Sequence, residues 1–360
     1  MMSEPLKMFA KLFLVITVIF TVFLYLLAIV LGPALFYFTP EGLSTSILHL
    51  SALPVWFFNQ TIFVPIGLSI GILFFVLWST FTLCFVAAWK FRENFPKVIK
   101  ESTVRPIGKL FSSCLFAMPI LNSMTLLAVI SLQSLQEAGG LPTGTSPLPG
   151  EPFWDFLDLS YAAVVEEVVF RIIPIGAFLL IYLLIIKKNT TQFSVKLLFV
   201  SFLFPDSAKR MVGAKTVNAH GIKRGISIGE WGMLILTSVI FGLAHFNPGV
   251  SWEIGKITSA TIAGLAIGLS YLLYGAQASI IMHWFFNAYT NTFSLLSELY
   301  PTLAPFATAV TLFSLILGIL GWLTITTLGI LKLTRAIKER GKNRQDQTTP
   351  SPPKSLELDR

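Results

Sequence analysis

Charge is the scarcest thing in this sequence. Only 12 % of its 360 residues are Asp, Glu, Lys or Arg, while 54 % are hydrophobic; soluble domains carry about 25 % charged residues. A soluble globular chain is thereby excluded. Cysteine is nearly absent too: Cys84 and Cys114 each sit inside an apolar run, no CxxC occurs, and a disulfide framework is ruled out. Lysine and arginine are missing altogether from 32–61 and 133–157. The net charge of +8 does not point to nucleic acid, because the basic residues border the apolar runs and do not form a separate stripe.

What is present is a series of apolar runs longer than the roughly 18 residues that mark a membrane helix. The expected fold is an all-α, polytopic membrane helix bundle with a polar intramembrane cavity. It has about eight spans, near 10–31, 62–89, 110–132, 158–186, 228–246, 254–274, 277–298 and 305–331. Leu12–Leu31 is too long for the apolar region of a signal peptide and reads as a retained helix. The positive-inside rule places 90–109, the connection after the fourth span and the basic tail in the cytoplasm. The loops 32–61 and 133–157 then face outward, so a cell-membrane protein with both termini cytoplasmic is expected. Residues 192–204 are apolar but too few to span, and read as an interfacial helix. The Gly/Pro-rich loop before 154 is expected to be irregular, and the polar tail 336–360 disordered. The domain reading is N-terminal helices over 1–135, a core over 154–300, a last helix over 301–335, and the tail.

Against this background a few polar residues stand out. Glu166, Glu167 and Arg171 interrupt "YAAVVEEVVFRIIPIGAFLLIYLLII" (161–186), and His245, His283, Asn287 and Asn291 lie in later spans. An ionisable side chain at membrane depth costs roughly 3 kcal/mol or more and marks a functional site by default. Glu167 and Arg171 are four apart, acid first, as a helical ion pair requires. Glu166 points about a quarter turn away and has no partner on its own helix, so one glutamate reads as structural and the other as available. His283, Asn287 and Asn291 share one helical face at four-residue spacing. A carboxylate and an imidazole can take a proton from water, while a second imidazole and an amide can donate to an oxyanion. The same groups can instead bind zinc, through Glu166, His245 and His283. The HExxH signature is absent.

"EEVVFR" (166–171), "FGLAH" (241–245) and "HWFFN" (283–287) resemble the ordered EExxxR, FxxxH and HxxxN motifs of the CAAX prenyl protease 2 and bacteriocin-processing (CPBP) family. The resemblance covers roughly 155–300. It implies an intramembrane endopeptidase in which Glu166 and His245 activate water and His283 and Asn287 stabilise the oxyanion. Glu167, Arg171 and Phe241 would hold the site in shape. It also implies a membrane-tethered peptide or protein as substrate and a metal-independent glutamate mechanism in preference to a zinc one. Two features depart from the family. Ile172 follows the arginine where glycine is usual, and the connection from Arg171 to Phe241 is long and basic, with His220 unassigned. Simple span counting sets His245 and His283 at different depths; "NPGV" (247–250) is expected to turn the chain beside a cavity. "GLAIG" (264–268) is expected to let the next helix pack closely. Two other readings are a non-catalytic scaffold or immunity-type protein, weakened by the complete motif set, and a proton-coupled transporter, weakened by the lack of inverted repeats.

Overall fold

The computed structural model describes residues 4–57, 60–146, 148, 150–186, 194–247 and 251–348. The chain is a polytopic helical bundle, and its first helix, α1 (Glu4–Phe38), is longer than the apolar run alone required. After the short α2 (Pro40–Ser46), the chain makes an antiparallel hairpin of β1 (His49–Phe57) and β2 (Gln60–Ser69). The pairing runs from His49 opposite Ser69 to Phe57 opposite Gln60, with a register shift between Leu50 and Ala52. The second span is therefore α3 (Ile70–Lys90) and not 62–89; the Ser69 hydroxyl caps it by accepting from the Ile72 N–H at 3.3 Å.

Two short helices, α4 (Phe95–Lys100) and α5 (Ile107–Leu110), lead to α6 (Cys114–Ala138). Then come α7 (Pro152–Glu167), a π turn at Val168–Ile172, and α8 (Ile173–Ile186), which together form one long rod. Of the interfacial segment expected at 192–204, residues 192–193 lie outside the described part. The remainder is α9 (Val195–Leu203), packed on α8. Nine residues reach about 14 Å, so α9 is too short to cross a hydrocarbon core of about 30 Å.

The basic connection continues as α10 (Pro205–Met211), α11 (Val217–His220) and α12 (Ile222–Gly225). Buried charge ties it to the bundle. Asp206 accepts from the Val217 and Asn218 backbone N–H groups and from Arg92, which in turn also donates to the Leu273 carbonyl. Lys209, almost wholly buried, donates to the Gly225 carbonyl and to Glu230 at 2.8 Å. Glu230 also closes a capping box with Ser227 that starts α13 (Ile228–Ala244). His220 is exposed at the end of α11.

The bundle closes with α14 (Ile254–Tyr274) and α15 (Ala276–Trp284), a second π turn at Phe285–Tyr289, then α16 (Thr290–Leu299) and α17 (Ala304–Thr348). Gly275 joins α14 to α15 at φ 99°, where a side chain would be strained and a Cβ would lie 2.6 Å from the Leu203 carbonyl oxygen. The tail expected to be unstructured from 336 is helical up to Thr348: the polar residues extend the last span instead of ending it. Residues 349–360 lie outside the described part.

Among the described residues six helical segments are long and apolar enough to cross a membrane: Met8–Phe38, Ile70–Lys90, Cys114–Ala138, Pro152–Ile185, Ile254–Tyr274 and Pro301–Thr334. The chain is thus a multi-pass membrane protein. The expected eight differ from these by two. Ile228–Ala244 is apolar but shorter, and Ala276–Leu299 is more polar because it carries the third motif. The N-terminal helices back this last element. The Tyr25 ring of α1 lies 5.6 Å from Trp284 and 5.0 Å from Tyr289, and its hydroxyl accepts from Asn122 of α6 at 3.0 Å.

Candidate active site

All three motifs converge at one place in the bundle interior. Glu166 and Glu167 end α7, just before the first π turn, while Arg171 lies inside it. Glu167 and Arg171 are fully buried, and Nη1 of Arg171 donates to Glu167 Oε1 at 3.0 Å. The same oxygen accepts from Nδ1 of His283 at 2.8 Å. One carboxylate thus fixes both the arginine and the histidine ring. With Nδ1–H spent on Glu167, the ring turns Nε2 toward Glu166, 3.6 Å from Oε2. That separation is beyond a direct hydrogen bond. Glu166 Oε2 is buried and accepts no hydrogen bond from the described residues. The two glutamates differ in their partners: Glu167 Oε1 holds both Arg171 and His283, while Glu166 makes only the 3.6 Å approach to His283, and the Oε2 of each accepts no hydrogen bond from the described residues.

Phe241 organises the rest. The Arg171 guanidinium lies 4.0 Å from its ring centroid, His245 stacks edge-on at 4.5 Å, and His283 meets it at 6.0 Å. Room for the arginine is made by "GLAIG": a Cβ on Gly264 would fall 3.0 Å from Nη2 of Arg171 and 3.2 Å from the Phe241 ring, and one on Gly268 would fall 2.5 Å from Leu234. Close packing was expected at this pattern; the group filling it is the arginine side chain.

His245 ends α13, and its Nδ1 lies 2.8 Å from the Phe241 carbonyl oxygen. A carbonyl only accepts, so Nδ1 carries the proton and Nε2 keeps a lone pair in the neutral ring. The depth conflict between the histidines is absent from the structure, where both rings lie against Phe241, at 4.5 and 6.0 Å. Residues 248–250 of "NPGV" lie outside the described part.

Asn287, in the second π turn, donates one amide hydrogen to the Leu159 carbonyl of α7 at 3.2 Å, which leaves the other. The wider π turn interrupts the 3.6-residue period, so the common face expected for His283, Asn287 and Asn291 does not run straight. Ile172, which replaces the usual glycine, is buried inside the first π turn.

The fit of a metal is a matter of donors. Among the described residues no three His, Cys, Asp or Glu side chains converge to ligand distance. His283 offers only one nitrogen, the other being bound to Glu167, and His245 does not join Glu166 and His283 in a common ligand set. The residues present do not fit a three-ligand zinc site.

Two nearby ionisable residues went unnoticed in the sequence. Asp158 and Lys256 both interact electrostatically with Glu166. Their signal was simple: each is a charge inside or at the end of an apolar helix.

Residues 150–289 match the family model described as Type II CAAX prenyl endopeptidase Rce1-like. No curated protein matches the chain, and no solved structure does. The matched segment is less than half of the chain, but it contains EEVVFR, FGLAH and HWFFN in order, together with every side chain of the site. Over that segment the chain is similar to the type II CAAX prenyl endopeptidases, in agreement with the CPBP resemblance of its three motifs.

Proposed function

We propose that the chain hydrolyses a peptide bond of a membrane-tethered substrate with Glu166 and His245 as the water-activating pair. The observation that carries this reading is Oε2 of Glu166, which accepts no hydrogen bond from the described residues and faces Nε2 of His283 at 3.6 Å, beside a second glutamate whose Oε1 already accepts from Arg171 and His283. A water between Glu166 and His245 gives its proton to this pair as it attacks the carbonyl carbon, and the proton passes to the leaving amine as the C–N bond breaks. Nε2 of His283 and the remaining amide hydrogen of Asn287 face the developing oxyanion. With Nδ1–H already donated to Glu167, Nε2 donates only when the ring is doubly protonated. Glu167, Arg171 and Phe241 take no part in bond changes and hold His283 and His245 in place.

The family match supports, as substrate, a prenylated chain end of the C-a-a-X type, in which the scissile bond follows the modified cysteine. The test is purified protein in lipid vesicles with a farnesylated peptide, and mass spectrometry of the products. Release of the terminal tripeptide is expected. Intact peptide after prolonged incubation, alongside active control enzyme, rejects the activity.

Turnover is expected to survive 1,10-phenanthroline, because the proposed chemistry uses no metal. Loss of activity on chelation, restored by zinc, would replace the glutamate mechanism by a metal one. The bilayer orientation proposed from the loop charges is tested separately. Thr145→Cys is expected to react with an impermeant maleimide on intact cells, and Lys215→Cys only after lysis; both positions are exposed, while Cys84 and Cys114 are buried. The inverse pattern reverses the topology.

A further inference from the structure

Lys256 opens α14, beside the segment that leads away from His245. That segment is folded back on itself and stitched to the preceding loop. Asn247 N–H donates to the Trp252 carbonyl at 2.9 Å, Glu253 N–H to Thr143 at 3.1 Å and Gly255 N–H to Pro142 at 2.9 Å, while Trp252 bridges Gly144. The lysine is therefore held by a braced frame. Its ammonium lies 3.6 Å from the Trp252 ring centroid, a cation–π contact. It makes no ion pair or hydrogen bond with the described residues, unlike Arg171, which is bound to Glu167. The side chain is half-buried and acts electrostatically on both Glu166 and His245.

A cation kept at the edge of a catalytic carboxylate without a partner of its own is costly in a low-dielectric site. What accounts for it is an anion that arrives with the substrate. We infer that Lys256 binds the terminal carboxylate of the peptide being cleaved, which rests on the function proposed above. In a C-a-a-X substrate that carboxylate lies three residues beyond the scissile bond, and three extended residues span about 10 Å. This contact would restrict cleavage to chain ends, because an internal segment offers no carboxylate there. Lys256 is thus a specificity-determining residue and takes no part in proton transfer.

The test compares wild type, Lys256→Met and Lys256→Arg on one farnesylated peptide ending Cys-Val-Ala-Met, made as the free acid or as the C-terminal amide. Methionine keeps the packing of the stem on Trp252, and arginine keeps the charge. Wild type and Lys256→Arg are expected to prefer the acid in kcat/KM by roughly tenfold or more, the usual effect of a charge-assisted hydrogen bond. Lys256→Met is expected to treat both peptides alike, chiefly through a higher KM for the acid. Equal use of acid and amide by wild type, or an acid preference that persists in Lys256→Met, overturns the inference. Fluorescence anisotropy with the same pair N-methylated at the scissile bond separates recognition from catalysis. Tighter binding of the acid to wild type than to Lys256→Met supports the carboxylate site even if no turnover is found. Identical binding rejects it even if turnover is normal.

Discussion

Glu166→Gln is expected to lower kcat by about 10³-fold, within the range that a general acid–base group supplies, and to leave the melting temperature in detergent unchanged. Glutamine has nearly the same shape but no proton-accepting carboxylate. Stability should be untouched because Oε2 of Glu166 accepts no hydrogen bond from the described residues and stands 3.6 Å from His283. Glu167→Gln makes the contrast. It weakens a carboxylate that holds both Arg171 and His283, so it should cost stability together with activity. A Glu166→Gln enzyme that turns over at the wild-type rate removes Glu166 from the mechanism, whatever the behaviour of Glu167.

Arg171→Ala is expected to lose folded protein before it loses anything subtler. Removing one partner of a buried ion pair typically costs about 3–5 kcal/mol, and both members here are fully buried. The truncation also empties the space against Phe241 and Gly264, 4.0 Å from the ring on one side and bounded by a glycine on the other. Lysine should rescue little, because the planar guanidinium stacks on Phe241 while it bonds to Glu167, and an ammonium cannot do both. Thermal melts in detergent and the yield of monodisperse protein are the measurements. An alanine variant with wild-type yield and melting would show that Glu167 finds another cation or is neutral in the folded protein.

The bundle and its reactive groups were legible because they rest on composition and on charges placed where lipid-facing helices tolerate none. Glu166, Glu167, Arg171, Phe241, His245 and His283 do come together, while Asn287 bonds to the Leu159 carbonyl of α7. The hairpin was not legible. Residues 49–69 are apolar without alternation, and Pro54 and Pro65 argue against strands by the usual rules. A run that starts as β2 and continues as α3 simply looks like one long span, with Ser69 as the one mark of the change. The hydrogen bond from the Tyr161 hydroxyl to the Pro54 carbonyl, 2.9 Å, joins that hairpin to α7 across 107 positions, a separation no local pattern can reveal. Lys256 was overlooked because a single lysine at a helix end is usually solvated. Its significance depends on Trp252 below it and Glu166 across from it. The buried Lys209–Glu230 pair escaped for a similar reason: a run rich in lysine and arginine reads as surface, and only the fold turns one of its charges inward.

The two π turns carry a consequence for how such motifs are written. EExxxR and HxxxN are counts along a chain, and a reader converts them to positions by assuming one residue per hundred degrees. In this protein both counts run into a stretch where that conversion fails. Each π turn behaves as a single extra residue lodged in an otherwise regular helix, so deleting one residue ahead of the arginine, from 168–170, or ahead of the asparagine, from 285–286, would restore the ordinary winding and rotate everything downstream. Arginine and asparagine would then keep their letters and lose their addresses. Chains that share the spelling but lack the extra residue would present these groups to different neighbours.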